Sequence, residues 1–223
     1  MQNYNQACTN MITQQLRTNQ VVDVALLDLI RASKREDFVP KAYREFAYAD
    51  LSIPLGDGQV MMTPTDEARM LNALQVKASD HVLEVGTGSG YITSLLAALS
   101  HHTLSLDIRP HFIEGAQAKL QTKGFHNIEL QVSNIFDFKA DEAFDAIAIT
   151  GALNLDAKTL AHHVMPLLQP NARLFAILGQ APIMQAFLFT RTSAHEPVWQ
   201  QTFLFETVVP SLDQVPSTTA FRF

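Results

Sequence analysis

Two styles of hydrophobic patterning divide the chain. Over residues 10–74 apolar positions recur at the three-to-four-residue spacing of a helix face. Asp23 is placed to cap a helix carrying Leu26, Leu27, Leu29 and Ile30, and Met70, Leu71 and Leu74 mark a second helix. The start of the second is spelled out by Thr63, Pro64, Thr65 and Asp66: a hydroxyl at the cap, proline at the first helical position and a carboxylate three residues after the cap. Between these helices, residues 48–62 contain Pro54, Gly56 and Gly58. That stretch is too broken for a regular helix or a long strand, and a packed loop is predicted.

From residue 81 onward short apolar runs alternate with helical stretches. Strands are predicted over 82–85, 103–106, 128–132, 144–149 and 174–178, with helices over 91–98, 110–123 and 155–168 between them. Strict alternation means right-handed βαβ units and a parallel sheet covered on both faces. After Gly179 the pattern changes: 186–192 and 202–209 are strand-like runs joined by a loop through His195 and Pro197 that leaves no room for a helix. They are predicted to form an antiparallel pair at the edge of the sheet. The expected fold is thus α/β, a doubly wound, mostly parallel sheet with an antiparallel C-terminal edge over residues 79–223. Residues 1–78 form an N-terminal helical extension.

Composition narrows the field. With 47% apolar and only 17% charged residues in 223, the chain can fill one sizeable core, which excludes a disordered or fibrous protein. Sixteen Lys and Arg against 22 Asp and Glu argue against a nucleic-acid partner, since such binding depends on clustered basic residues. The single Cys8 excludes an internal disulfide and a cysteine-based zinc site. No run of apolar residues is long enough for a membrane span, and residues 1–17 lack the core of a signal peptide, so a soluble cytoplasmic protein is expected. The adjacent pairs His101, His102 and His162, His163 diverge on a strand or helix and are read as solvated surface, and no metal is expected.

The chemistry is concentrated where Val82-Leu83-Glu84-Val85 runs into Gly86-Thr87-Gly88-Ser89-Gly90 and a helix from Tyr91. Glycines at the carboxyl end of a parallel strand let a ligand touch bare backbone. A dinucleotide loop would place glycine at position 91, where this chain has Tyr91, and a phosphate-binding P-loop is excluded by spacing. S-adenosylmethionine is the remaining well-known user of such a loop. Asp107 ends the next strand, 21 residues after Gly86, and can accept both ribose hydroxyls of an adenosine. Ile108 can cover the adenine, with Asn134 and Ile135 at the end of the third strand, where Asn134 serves either the base edge or a turn. Thr150 faces the same crevice from the fourth strand. Glu84 is expected to bond backbone amides of the glycine loop or lie near the cofactor's ammonium group.

Beyond this loop the chain resembles the protein-L-isoaspartate O-methyltransferases, which repair damaged proteins by methylating isoaspartyl carboxyls. The resemblance rests on Phe38-Val39-Pro40, Ala47-Tyr48-Ala49-Asp50, Ile53-Pro54-Leu55-Gly56, Gly58-Gln59, the stretch 83–91, Phe144-Asp145-Ala146-Ile147 and Thr150-Gly151-Ala152, and it extends to Gly179. It implies a class I, Rossmann-like S-adenosylmethionine-dependent methyltransferase, with the N-terminal helices as the substrate-facing wall and an isoaspartyl protein or peptide as partner. One departure stands out. After Gly-Gln the family reads Thr-Ile-Ser and then, one residue later, Pro, with the serine facing the substrate carboxylate. Here the stretch is Val60-Met61-Met62-Thr63-Pro64. Val60 and Met62 are therefore the candidate catalytic positions, as substrate wall and without a base, and Thr63 falls one position late. Two other functions share these residues: methyl transfer to a more apolar acceptor fitting Met61 and Met62, and a non-catalytic cofactor-binding interaction protein.

Overall fold

The computed structural model describes residues 3–192 and 199–216. Helix α1 (Tyr4–Met11) continues into a single π turn, Ile12–Leu16, and the two bury Cys8, Met11, Ile12 and Leu16. Helix α2 (Val24–Ala32) starts where predicted, with the Asp23 carboxylate accepting from the Leu26 amide at 3.1 Å, and buries Leu26, Leu27 and Ile30. Two short 3-10 turns, Arg35–Asp37 and Lys41–Phe46, lead onward.

Residues 48–62 are more than a loop. Strands β1 (Ile53–Gly56) and β2 (Gln59–Met61) pair antiparallel as a small hairpin apart from the main sheet. Asp57 and Gly58 turn it with φ of 51° and 72°, the left-handed pair that a tight two-residue connection needs. Helix α3 (Pro64–Leu74) follows, with the Thr63 hydroxyl capping the Asp66 amide at 3.1 Å. The Asp66 carboxylate also accepts from the Thr207 hydroxyl at 2.7 Å, a bond from this helix to the far edge of the sheet.

The remainder is β3 (His81–Val85), α4 (Tyr91–Leu99), β4 (His102–Asp107), α5 (Pro110–Thr122), β5 (Ile128–Val132), β6 (Phe144–Leu153), α6 (Ala157–Val164), β7 (Leu168–Gln180), β8 (Ile183–Arg191) and β9 (Trp199–Thr207). The seven-stranded sheet has the order β5-β4-β3-β6-β7-β8-β9, parallel through β7 and antiparallel at β8 and β9. The predicted alternation and edge pair are both present. The loop read through His195 and Pro197 lies outside the described residues. Helix α6 is shorter than predicted because a 3-10 turn at Met165–Leu167, around Pro166, ends it and starts β7 at Leu168.

From β3 the chain winds outward to β5 and then returns to place β6 on the other side. That reversal opens a crevice at the carboxyl ends of β3, β4 and β6. One buried cluster joins the N-terminal helices to α3, α4 and one sheet face, through residues such as Leu16, Phe38, Met70, Leu74 and Leu95. A second, including Leu83, Leu106, Ile149 and Leu160, fills the opposite face. No helix among the described residues is long and apolar enough to cross a membrane.

Candidate active site

The crevice, about 690 Å³ including its open mouth, draws its walls from the three strand ends, the β1–β2 hairpin and the segment after β9. Of the residues singled out in the sequence, Val60, Met62, Gly86, Gly88, Asp107, Ile108, Asn134, Ile135 and Thr150 line it. A smaller adjoining space of about 320 Å³ takes in Glu84, Thr87 and Ser89.

Local packing explains the glycines. Gly86 holds φ at 100°, and a Cβ there would stand 2.4 Å from Thr150 Oγ1. That hydroxyl donates toward the carbonyls of Val85 and Gly86, each at 3.0 Å, and so seals β6 against the start of the loop. Gly90 caps α4 with φ of 83°, and a Cβ would be 2.9 Å from that of Ala116 on α5. Asp107 is nearly buried and holds the loop in place: one oxygen accepts the Gly88 amide at 3.1 Å, the other the Arg109 amide at 3.0 Å. Each oxygen keeps a lone pair for a ligand hydroxyl.

Glu84 departs from one of its two expected roles. Its Oε2 takes the hydroxyls of Thr93 and Ser105 at 2.5 and 2.6 Å, and no bond to the glycine-loop amides is made. The strand points this side chain back under α4, where two hydroxyls converge. Oε1 is buried with no partner. Burial pushes the carboxyl up to about 8, against the lowering effect of the two hydroxyls. Because its ordinary value is 4.5, the folded chain retains a proton that the unfolded chain releases. This stabilisation is complete below pH about 4.5 and is lost as pH rises through about 8. Thermal melts of the free protein should decline over that window, and Glu84→Gln, which retains an acceptor for both hydroxyls, should flatten the slope. An unchanged slope in the variant would assign the effect to another group.

Asn134 behaves first as a turn residue, its Oδ1 accepting the Phe136 amide at 3.0 Å and its amide nitrogen lying 3.4 Å from the Gln214 carbonyl and side chain. Only its remaining capacity is open to a ligand. His101 is exposed and His102 half-buried, as a surface reading expects, with their rings 5.2 and 6.2 Å from that of His81.

The segment after β9 was not anticipated as part of the site. The Ala152 amide donates to Pro210 at 3.0 Å, and the Leu212 amide to Ala152 at 2.9 Å, so Val209, Pro210 and Leu212 roof the crevice. Arg109 fastens the roof to the hairpin: it pairs with Asp213 and lies 3.9 Å from Asp57, which His111 also meets at 3.2 Å. These carboxylates are about half exposed, so the pairs are worth about 1 kcal/mol at most. Arg109→Ala should speed release of bound S-adenosylhomocysteine about five-fold in stopped-flow measurements. An unchanged rate would show that the roof opens elsewhere.

Among known proteins, the pattern that defines the protein-L-isoaspartate(D-aspartate) O-methyltransferases matches residues 6–208. The chain belongs to this family. A protein-L-isoaspartate O-methyltransferase 2 of Pelobacter propionicus is 30% identical over 187 residues, which is 83% of this chain and 81% of its own. A protein-L-isoaspartate O-methyltransferase of Myxococcus xanthus is 34% identical over 165 residues, covering 74% and 76%. The fold is shared with a Plasmodium falciparum structure described as a protein-L-isoaspartate O-methyltransferase in complex with S-adenosyl-L-homocysteine. The TM-score is 0.75 at 17% identity, over 95% of this chain and 99% of that one.

Val60 and Met62, the positions that the sequence resemblance matches to a threonine and a serine, stand in the crevice wall. Thr63 caps α3 and does not line the crevice. Behind the wall is a buried ion pair that sequence reading missed. Arg35 and Glu67, with side chains 0% and 4% exposed, pair at 2.9 and 3.1 Å, and Arg35 also donates to the carbonyls of Ala47 at 2.7 Å and Met62 at 2.8 Å. The backbone of Met62 is thereby fixed by a residue 27 positions earlier. The available signal was a charged residue, Glu67, on the apolar face of α3.

Proposed function

We propose that the chain transfers the methyl group of S-adenosylmethionine to the carboxylate of an isoaspartyl residue in a protein or peptide, acting in the cytoplasm, with residues 1–78 as the acceptor-facing side. The observation that carries this is the Asp107 carboxylate, held at the crevice by two backbone amides with a lone pair free on each oxygen. A bound cofactor fits the other groups present. Asp107 would take its ribose hydroxyls, and Ile108 and Ile135 would flank its adenine, with Asn134 at the base edge. The unpaired Oε1 of Glu84 would meet its ammonium group, which also favours the ionised carboxyl. Gly86–Gly90 would present bare backbone to the methionine portion.

When bound, this cofactor supplies a sulfonium methyl open to in-line displacement. The chain's own part is positioning and exclusion of water. An acceptor carboxylate with a pKa near ~4 is already ionised at neutral pH, so no general base is needed. Val209, Pro210 and Leu212 cover part of the crevice with apolar surface. The wall at Val60 and Met62 sets how the acceptor approaches.

Asp107→Ala removes the ribose acceptor and should weaken S-adenosylhomocysteine binding by roughly ten-fold or more in calorimetry. Wild-type protein that binds neither cofactor form at millimolar concentration would overturn the assignment. Labelled methyl donor offered with isoaspartyl and ordinary peptides should label the isoaspartyl ones.

A further inference from the structure

The inner end of the crevice, between the hairpin and the glycine loop, is lined by Leu55, Val60, Met61, Met62 and Ile92. The polar groups around it are already engaged with one another. Thr87 bonds Ser105 at 2.6 Å, Ser89 accepts the Tyr91 amide at 3.2 Å, and the Tyr91 hydroxyl meets Ser33 at 3.2 Å. Thr150 is spent on Val85 and Gly86, both oxygens of Glu67 are on Arg35, and so is the Met62 carbonyl. The unpaired Glu84 oxygen is the one assigned above to the cofactor's ammonium group. The side of this space formed by Leu55, Val60, Met61 and Met62 therefore offers an incoming group carbon surface.

This wall is also reachable. Leu55 and Val60 are only half-buried and line both the main crevice and its inner end. Val60 and Met62 lie two residues apart on one extended segment and so share a face. Leu55 packs against the glycine loop, since a Cβ on Gly88 would come within 3.1 Å of its Cδ1. The apolar surface is thus continuous with the place where the acceptor must meet the cofactor.

We propose that Leu55, Val60 and Met62 form a specificity pocket for an apolar side chain adjacent to the acceptor residue, so that the chain prefers isoaspartyl sites flanked by leucine, methionine or a similar residue. This rests on the isoaspartyl reading above. An apolar neighbour leaves water for carbon contacts, which favours binding. A serine, lysine or glutamate there gives up hydration against the carbon surface of Leu55, Val60 and Met62.

Initial rates with saturating S-adenosylmethionine on isoaspartyl peptides of one length, differing only in the flanking residue on either side, test the pocket. Leucine or methionine on one side should give a kcat/KM about ten-fold above serine, lysine or glutamate, mostly through KM. Leu55→Ser and Val60→Ser, each checked for folding by its thermal melt, should reduce that preference to about two-fold. Equal turnover of all isoaspartyl peptides, or an undiminished preference in both variants, would overturn the pocket and leave the isoaspartyl reading standing. Failure to turn over any isoaspartyl peptide by protein that binds cofactor would overturn both.

Discussion

Arg35→Met should cost about 3–5 kcal/mol of folding stability, the range for stranding one member of a buried ion pair. Glu67 would remain without a counter-charge at a site where burial already raises its carboxyl despite the pull of Arg35. The carbonyls of Ala47 and Met62 would lose their donors as well. Urea unfolding followed by circular dichroism measures the loss. The double variant Arg35→Met with Glu67→Leu should recover a large part of it, because apolar groups of similar volume can replace a buried pair at little cost. A single variant within about 1 kcal/mol of wild type, or a double variant no better than the single, would contradict the account. The pair matters for function because it fixes the Met62 backbone and hence the wall.

Restoring the missing hydroxyls should have the largest effect on catalysis. Val60→Thr with Met62→Ser places donors at the two wall positions that the sequence resemblance matches to hydroxyl residues, on a segment whose backbone Arg35 holds in place. A hydrogen bond to a charged acceptor is worth about 1.5–3 kcal/mol, so turnover of an isoaspartyl peptide should rise roughly ten- to hundred-fold if the bond forms in the transition state. The same change should weaken the preference for apolar flanking residues. Steady-state kinetics on wild type and double variant decide this, with S-adenosylhomocysteine affinity as a control for the cofactor site. No gain in a variant that binds cofactor normally would mean that another group orients the acceptor carboxylate.

Local sequence determined what depends on neighbours along the chain. The caps at Asp23 and Thr63 could be read because a side chain and the amide it satisfies are three residues apart. The strand and helix alternation was legible because burial on a sheet covered by helices imposes its own periods on apolar positions. The glycine loop and Asp107 followed from the same frame, since ligands collect at the carboxyl ends of parallel strands.

Tertiary structure decided which distant groups meet. Arg35 finds Glu67 across 32 residues, and Arg109 finds Asp213 across 104. No periodicity encodes such pairings, because they depend on how the N-terminal helices and the segment after β9 close over the sheet. Glu84 was legible as a buried carboxyl needing partners, but the choice of the Thr93 and Ser105 hydroxyls over the loop amides required the packing of α4 and β4. The hairpin at residues 53–61 lies between these cases. Its Asp57-Gly58 turn is a local signal, but its use as a crevice wall exists only once β1 and β2 lie over the strand ends. Sequence alone thus established the fold and the place of the glycine loop, while long-range packing settled which side chains wall the crevice, because those that meet there belong to segments far apart in the chain.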